Sequence, residues 1–527
     1  MSTPESVTAR ELKAMLHDGR ELALLDVREA GQFGESHLLF ATPLPYSRLE
    51  LDVGALVPRR SARVVLCDDG ELGVAARAAA RLKAVGYSAV AVLDGGTTAW
   101  KAAGYALFSG VNVPSKLFGE LVEHEYHTPR VSVTDLARMQ AEGDDFVVVD
   151  GRPLTEYRKM NIPGGICCPN AELPYRIGEI VKSPATKIIV NCAGRTRSIM
   201  GAQTLINFGI DNPVYALENG TQGWVLADLE LERGATRRYP DAVDAERLAS
   251  LQTRAKSLMA RHGVTTAAAT DVQAWLRDET RTTYLLDVRT PEEFARGSIP
   301  GAVHAPGGQL VQATDQWVGV RNARIVLVDD EGVRAPVVAS WLKQLGCEVY
   351  VLKGGVAAKV NAEPAPKPRL PQLAQITPEE LKRALDTGAC SVFDLRASMS
   401  FRKSHIPRSR WSIRSRLVAA AHDAREPLVL VCDDLDVARL AAADLFEARH
   451  RHVKILEGSL AAWTAAGLPA EASPDAPADP DCIDYLFFVH DRHAGNREAM
   501  KQYLAWETGL IAQLDDEDRK LFRVGVA

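Results

Sequence analysis

One pattern occurs four times in this chain, and a chain that repeats a unit of about a hundred residues folds as tandem copies of one domain, not around one large core. The segments "ALLDVREAGQF" (23–33), "VVVDGRPLTEY" (147–157), "YLLDVRTPEEF" (284–294) and "SVFDLRASMSF" (391–401) each run through a β-branched or leucine-rich stretch into Asp-x-Arg, with an aromatic residue a fixed step later. Downstream, "AVLDGGTTAW", "YALENGTQGW", "YVLKGGVAAK" and "KILEGSLAAW" close the four units, roughly 70 residues after each aspartate. The length of 527 residues is too great for a single core and agrees with several domains.

Within each copy, apolar runs of strand length alternate with helical-period segments such as "ARAAARLKAVGY" and "VVASWLKQLGC", the signature of βα units around a parallel sheet. The expected fold class is therefore α/β, with four tandem three-layer domains and central parallel sheets. Their expected bounds are 1–110, 130–235, 264–362 and 373–472, followed by a helical C-terminal extension over 481–527. Linkers at 108–130, at 240–263 (charged and helical in period) and at 361–372 (proline-rich, a semi-rigid spacer) separate the copies. The apolar stripe of the tail, with Tyr485, Phe487, Tyr503 and Trp506, is expected to dock on one of the four domains or on a second copy of the chain, which would make a homo-oligomer.

Charge excludes some partners. The 62 basic and 68 acidic residues are well mixed, so no basic face points to nucleic acid. No apolar run is long enough for a membrane span or a signal peptide, and a cytoplasmic protein is expected. Eight cysteines are too sparse for a disulfide scaffold and form no CxxC pair, so reduced thiols are expected. The adjacent Cys167 and Cys168 read as buried thiols, because neighbouring cysteines reach disulfide geometry only with strain. His490 and His493 in "HDRH" could share a helix face, but no third ligand is evident; a capping or packing role is expected, with no metal and no organic cofactor.

The stretch "KIIVNCAGRTRSIMGAQTL" (187–205) sets Cys192 between a strand and a helix, where ligands bind in parallel α/β sheets. A thiol needs help to ionise at neutral pH. Gly194 lets the backbone curl so that amides point inward as an anion-binding nest, Ser198 is placed to begin the helix, and Arg195 and Arg197 put positive charge on the loop or its rim. Two kinds of anion fit: a persulfide on the sulfur, or an oxyanion under attack by it.

The loop "CAGRTRS", the Asp-x-Arg strand ends, the "IPG" turns at 162–164 and 299–301 and the "GG…W" endings together resemble the rhodanese-like sulfurtransferase family, over nearly the whole chain except the tail. The resemblance implies that Cys192 takes sulfane sulfur from a small anionic donor, thiosulfate foremost, and passes it to a thiol or protein-cysteine acceptor. It also implies that Ala193, Gly194, Arg195, Thr196, Arg197 and Ser198 bind the substrate, with Asp150 and Arg152 as pocket support. The same fold hosts phosphatases, whose loop is one residue longer between cysteine and arginine; here Arg197 is five positions after Cys192, as in the transferase class. The signature of mercaptopyruvate sulfurtransferases is not matched. A rival reading is a sulfur relay or scaffold whose inert copies bind partners.

The other copies have lost the loop. "LVDDEGVRAP" has no cysteine, and Cys347 falls after its helix. Cys432 in "VCDDLDVARL" is followed by Asp433, Asp434 and Asp436, and Cys67 in "LCDDGELGVAA" by Asp68, Asp69 and Glu71; carboxylates raise a thiol's pKa and repel an anionic donor. Copies one, three and four are expected to be inactive. Because Asp-x-Arg persists in them, a structural ion pair is its expected role. Glu156 and Tyr157 rank below it as site residues, and Trp100, Trp224 and Trp463 read as core.

Overall fold

In the computed structural model, which describes residues 4–70 and 73–525 without the side chains at 493 and 494, the chain forms four five-stranded sheets. Numbering the strands of each copy in chain order, all four sheets run 1-5-4-2-3, and every pairing is parallel. The fourth strand of each copy (Val64–Cys67, Lys187–Asn191, Arg324–Val328, Leu428–Val431) is central and almost continuously apolar, as a strand covered by helices on both faces must be. The site loops leave from its carboxyl end.

The repeated motifs do matching work. Each Asp-x-Arg is a buried bidentate pair: Arg152 donates to Asp150 at 2.8 and 2.7 Å and to the Met160 carbonyl at 2.6 Å. Arg28, Arg289 and Arg396 repeat this, reaching the carbonyls of Ser36, Gly297 and Ser404. The pair ties the second strand to the end of the helix behind it, which is the structural role expected. Trp100, Trp224 and Trp463 are core residues, at most 4% exposed, and each indole N–H holds the chain six residues on.

The copies do not pair in chain order. One compact unit holds residues 4–16, 23–111 and 365–487, hence copies one and four; the other holds 17–22, 112–364 and 488–525, hence copies two and three. Each unit is joined through a fully buried arginine. In the first, Arg414 donates to Glu50 at 2.6 Å, Asp444 at 3.0 Å and the Tyr46 carbonyl. In the second, Arg334 meets Asp329 at 3.1 Å, Glu172 at 3.2 Å, Glu293 and Glu331.

The segments between copies are structural. The 108–130 linker contains the helix Val113–Tyr126, which packs on the helix Thr196–Phe208 of copy two; the 240–263 linker is the helix Ala245–Arg261. The tail departs from a single amphipathic stripe. Residues up to Phe487 belong to the first unit, where the Ile483 carbonyl accepts from Gly31 at 2.8 Å and Asp484 from Ser398 at 2.8 Å. The helix Arg497–Thr508, with Tyr503 and Trp506, belongs to the second. His490 is exposed, and the side chain of His493 lies outside the described residues. No helix among the described residues is long and apolar enough to cross a membrane.

Removing Arg334 strands four carboxylates around a buried site, a loss that costs about 3–5 kcal/mol in comparable clusters. Arg334→Ala is expected to lower the urea midpoint of the unit holding copies two and three, followed by tryptophan fluorescence, while Arg334→Lys loses less.

Candidate active site

Cys192 follows the strand Lys187–Asn191 directly and is 2% exposed. The helix behind it opens at Thr196, so Ser198 stands in the first turn and does not begin the helix as the sequence suggested. Its hydroxyl lies 3.5 Å from the Cys192 sulfur and donates to the Arg195 carbonyl at 2.8 Å. A hydroxyl so placed accepts from the thiol and can turn its proton to the sulfur once that is ionised.

The loop is held from outside by the "ENGTQGW" motif. The helix Gly220–Leu226 presents its first amides to the loop: Thr221 donates to the Cys192 carbonyl at 2.9 Å, and Gln222 donates to the Ala193 carbonyl through its amide and its side chain, each at 3.0 Å. Gly220 makes this approach possible, having φ +52° and lying where a Cβ would be 2.2 Å from the Cys192 oxygen. With these carbonyls engaged, the amides of 193–198 have no acceptor among the described residues. They form a concave set of donors after a strand and at a helix start, suited to an anion.

In the other copies a side-chain carboxylate takes these amides. Asp329 occupies the position of Cys192 in copy three, and one of its oxygens accepts from Val333 at 2.9 Å, Arg334 at 2.8 Å and Ala335 at 3.2 Å. Asp68 accepts from Gly70 and Ala75 at 2.8 Å in copy one, and Asp434 from Asp436 and Val437 at 3.0 and 3.3 Å in copy four. The aspartates therefore do more than repel an anion: they fill its place. Cys67 and Cys432 donate to loop carbonyls of Asp68 and Asp434. Burial pushes both thiols up, Cys67 well above its ordinary value with help from Asp26 and Asp68, and Cys432 to about 11 with help from Asp434 and Asp433. Glu71 lies outside the described residues. Cys167 and Cys168 are buried free thiols, also pushed up by burial.

The arginines differ from expectation. Arg195 is not a free rim charge; it makes a bidentate pair with Glu120 at 2.9 Å and meets Glu123, both on the helix Val113–Tyr126. Arg197, which interacts electrostatically with Cys192, is held bidentately by Glu156 at 2.7 and 2.8 Å. Burial disfavours each guanidinium's charge, but the carboxylates outweigh it and both are raised. Glu156, ranked low from sequence, thus orients the arginine beside the thiol. Thr196 donates from its hydroxyl to Glu507 of the tail, which also pairs with Lys116 at 3.0 Å. Asp150 and Arg152 lie under the loop, linked to it through Asn191, which donates to Asp150 at 2.8 Å. Glu120, Glu123, Lys116 and Glu507 were missed because they sit outside the repeat; Thr221 and Gln222 lay inside a quoted motif and their contact with the loop was not legible. Among the described residues, no group of three His, Cys, Asp or Glu side chains could hold a metal.

Because the thiolate is the reactive form, a raised pKa suppresses labelling at neutral pH and releases it as pH climbs. Alkylation of Cys432 by iodoacetamide is expected to be negligible at pH 7 and to rise about tenfold per pH unit toward 11, read by peptide mass mapping; labelling that is already complete at pH 7 contradicts the described environment.

The rhodanese-like domain family matches this chain at residues 8–103, 132–227, 268–362 and 377–466. The crystal structure of thiosulfate sulfurtransferase from Pseudomonas aeruginosa is 45% identical, with 99% of each chain covered and a TM-score of 0.90. Two curated relatives match in one stretch only. The probable adenylyltransferase/sulfurtransferase MoeZ of Mycobacterium tuberculosis is 35% identical over 96 residues, 18% of this chain and 24% of that protein. The uncharacterized protein YqhL of Bacillus subtilis is 39% identical over 77 residues, 14% of this chain and 59% of its own length. The chain thus spans only a part of the curated relatives it matches. With four matched domains and a full-length structural relative, this chain belongs to the rhodanese-like sulfurtransferase family.

Proposed function

We propose that the chain transfers sulfane sulfur from thiosulfate to a thiophilic acceptor through a persulfide on Cys192, with copy two as its one working site. The observation that carries this reading is a thiol standing among main-chain amides that have no acceptor among the described residues; in each of the other three copies an aspartate accepts two or three amides of the corresponding segment. The thiosulfate donor is supported by the named activity of the Pseudomonas aeruginosa relative.

In the first half-reaction the Cys192 thiolate attacks the outer sulfur of thiosulfate. A sulfur–sulfur bond forms at Cys192, the bond to the sulfonate sulfur breaks, and sulfite leaves with the electron pair. The loop amides and the Ser198 hydroxyl stabilise the charge on the terminal sulfur. In the second, an acceptor nucleophile, cyanide or a thiolate, attacks that sulfur and Cys192 leaves as thiolate. Since Arg195 and Arg197 are both paired, the dianion is held chiefly by main-chain donors, with Arg197 a positioning charge kept in place by Glu156. The eight free cysteines suit a reducing compartment, and we place the protein in the cytoplasm on that ground.

Intact-mass analysis after addition of thiosulfate is expected to show a gain of one sulfur atom that is abolished in Cys192→Ser and retained in Cys67→Ser and Cys432→Ser. Absence of that gain in the unaltered chain, or sulfur carried on a different cysteine, refutes the proposal. Steady thiocyanate formation from thiosulfate and cyanide separates an enzyme from a relay that loads only in the presence of a partner protein. Glu156→Gln is expected to lower kcat/KM for thiosulfate by about tenfold through loss of a charged hydrogen-bonded partner to Arg197.

A further inference from the structure

The tail helix Arg497–Thr508 reaches the loop of copy two from outside the repeated domain. A Cβ on Gly194 would lie 3.1 Å from a Glu507 carboxylate oxygen and 3.4 Å from the Tyr503 ring, so this stretch of the loop is roofed by the tail. Tyr503 is 2% exposed and Glu507 fully buried. The roof is fastened by charge: Lys116 pairs with Glu507, the Arg492 guanidinium stacks 3.4 Å from the Tyr503 ring centre, and Arg497 caps the helix Gly220–Leu226 at the carbonyls of Val225 and Leu226. Burial opposes the Glu507 charge, but Lys116 and Thr196 outweigh it and keep it a carboxylate. Its second oxygen is buried with no hydrogen-bond partner, so this charge is held against the loop at a cost, which is unexplained if the tail served only to pack.

Resting on the sulfur-transfer reading, we propose that Tyr503 and Glu507 are specificity-determining residues: they wall the Cys192 site so that it accepts small sulfur acceptors and excludes cysteines carried on a folded protein. The loop is buried along its length, from Cys192 to Ser198. A small thiol or cyanide needs no more room at the loop than thiosulfate does. The sulfur of a protein cysteine stands two bonds from its own main chain, so its flanking residues must crowd the loop beside Gly194, which the tail ring and carboxylate cover.

The test compares two reactions of the full chain with a small and a bulky partner. Discharge of the Cys192 persulfide to dithiothreitol and to reduced thioredoxin is measured by intact mass. Independently of any persulfide, Cys192 alkylation by N-ethylmaleimide and by a polyethylene-glycol maleimide is measured and normalised to the same pair on free glutathione. Both small-to-bulky ratios are expected to be high in the unaltered chain and to fall at least about tenfold in Tyr503→Ala and Glu507→Ala, with Tyr503→Phe retaining the high ratio. A variant whose tail detaches gives the same fall, since the wall is then gone. Equal rates with small and bulky partners in the unaltered chain, or ratios unmoved by both alanine variants, overturn the wall. If no sulfur is gained on Cys192 while the maleimide ratios behave as expected, the sulfur-transfer reading fails and the wall stands.

Discussion

The amides at the start of the helix behind the fourth strand must be satisfied, and how each copy satisfies them organises this molecule. In three copies an aspartate from the loop itself accepts from one to three of them, and in copy one also from the loop amide of Gly70. A loop satisfied in this way is a stable strand-to-helix turn and has no place for another anion. In copy two the residues at these positions are Cys192, Ala193 and Gly194, none of which supplies an oxygen, and the donors are left for a charged sulfur. What separates a structural turn from a reactive one is therefore whether a carboxylate faces these amides: Asp68 and Asp329 stand at the Cys192 position, and in copy four, which keeps Cys432 there, Asp434 at the Gly194 position accepts them.

That scaffold is conserved within the chain by two devices. The buried Asp-x-Arg pair fixes the end of the second strand, and the close approach of the "GG…W" segment fixes the loop from the opposite side. Gly96 and Gly355 repeat the approach of Gly220, with a Cβ at each 2.3 and 2.6 Å from the facing carbonyls of Asp68 and Asp329. In copy four Ser459 takes the position at φ +56° and donates to Asp433 at 2.6 Å. The inactive copies have kept the frame and changed what fills the cup.

Charge around Cys192 is balanced more closely than the loop alone implies. Arg195, Arg197 and Lys116 face Glu120, Glu123, Glu156 and Glu507, so the side chains offer little net attraction for a dianion. Binding by main-chain dipoles and a helix start discriminates by shape and hydrogen-bond geometry more than by long-range charge. Three of those carboxylates come from segments outside the repeat, the linker helix and the tail, which makes these segments part of the site.

The repeat, the parallel α/β architecture, the core tryptophans and the loop carrying Cys192 were legible in the sequence because each depends on local periodicity or on a motif whose residues touch one another along the chain. The ion-pair role of Asp150 and Arg152 was legible for the same reason, from its recurrence. The pairing of copy one with four and of two with three, the partners of Arg195 and Arg197, and the split course of the tail were decided only by tertiary structure. Arg334 and Glu172, or Thr196 and Glu507, lie far apart in sequence and carry no shared pattern; which buried charge meets which carboxylate depends on the packing of whole domains, and no local rule encodes it.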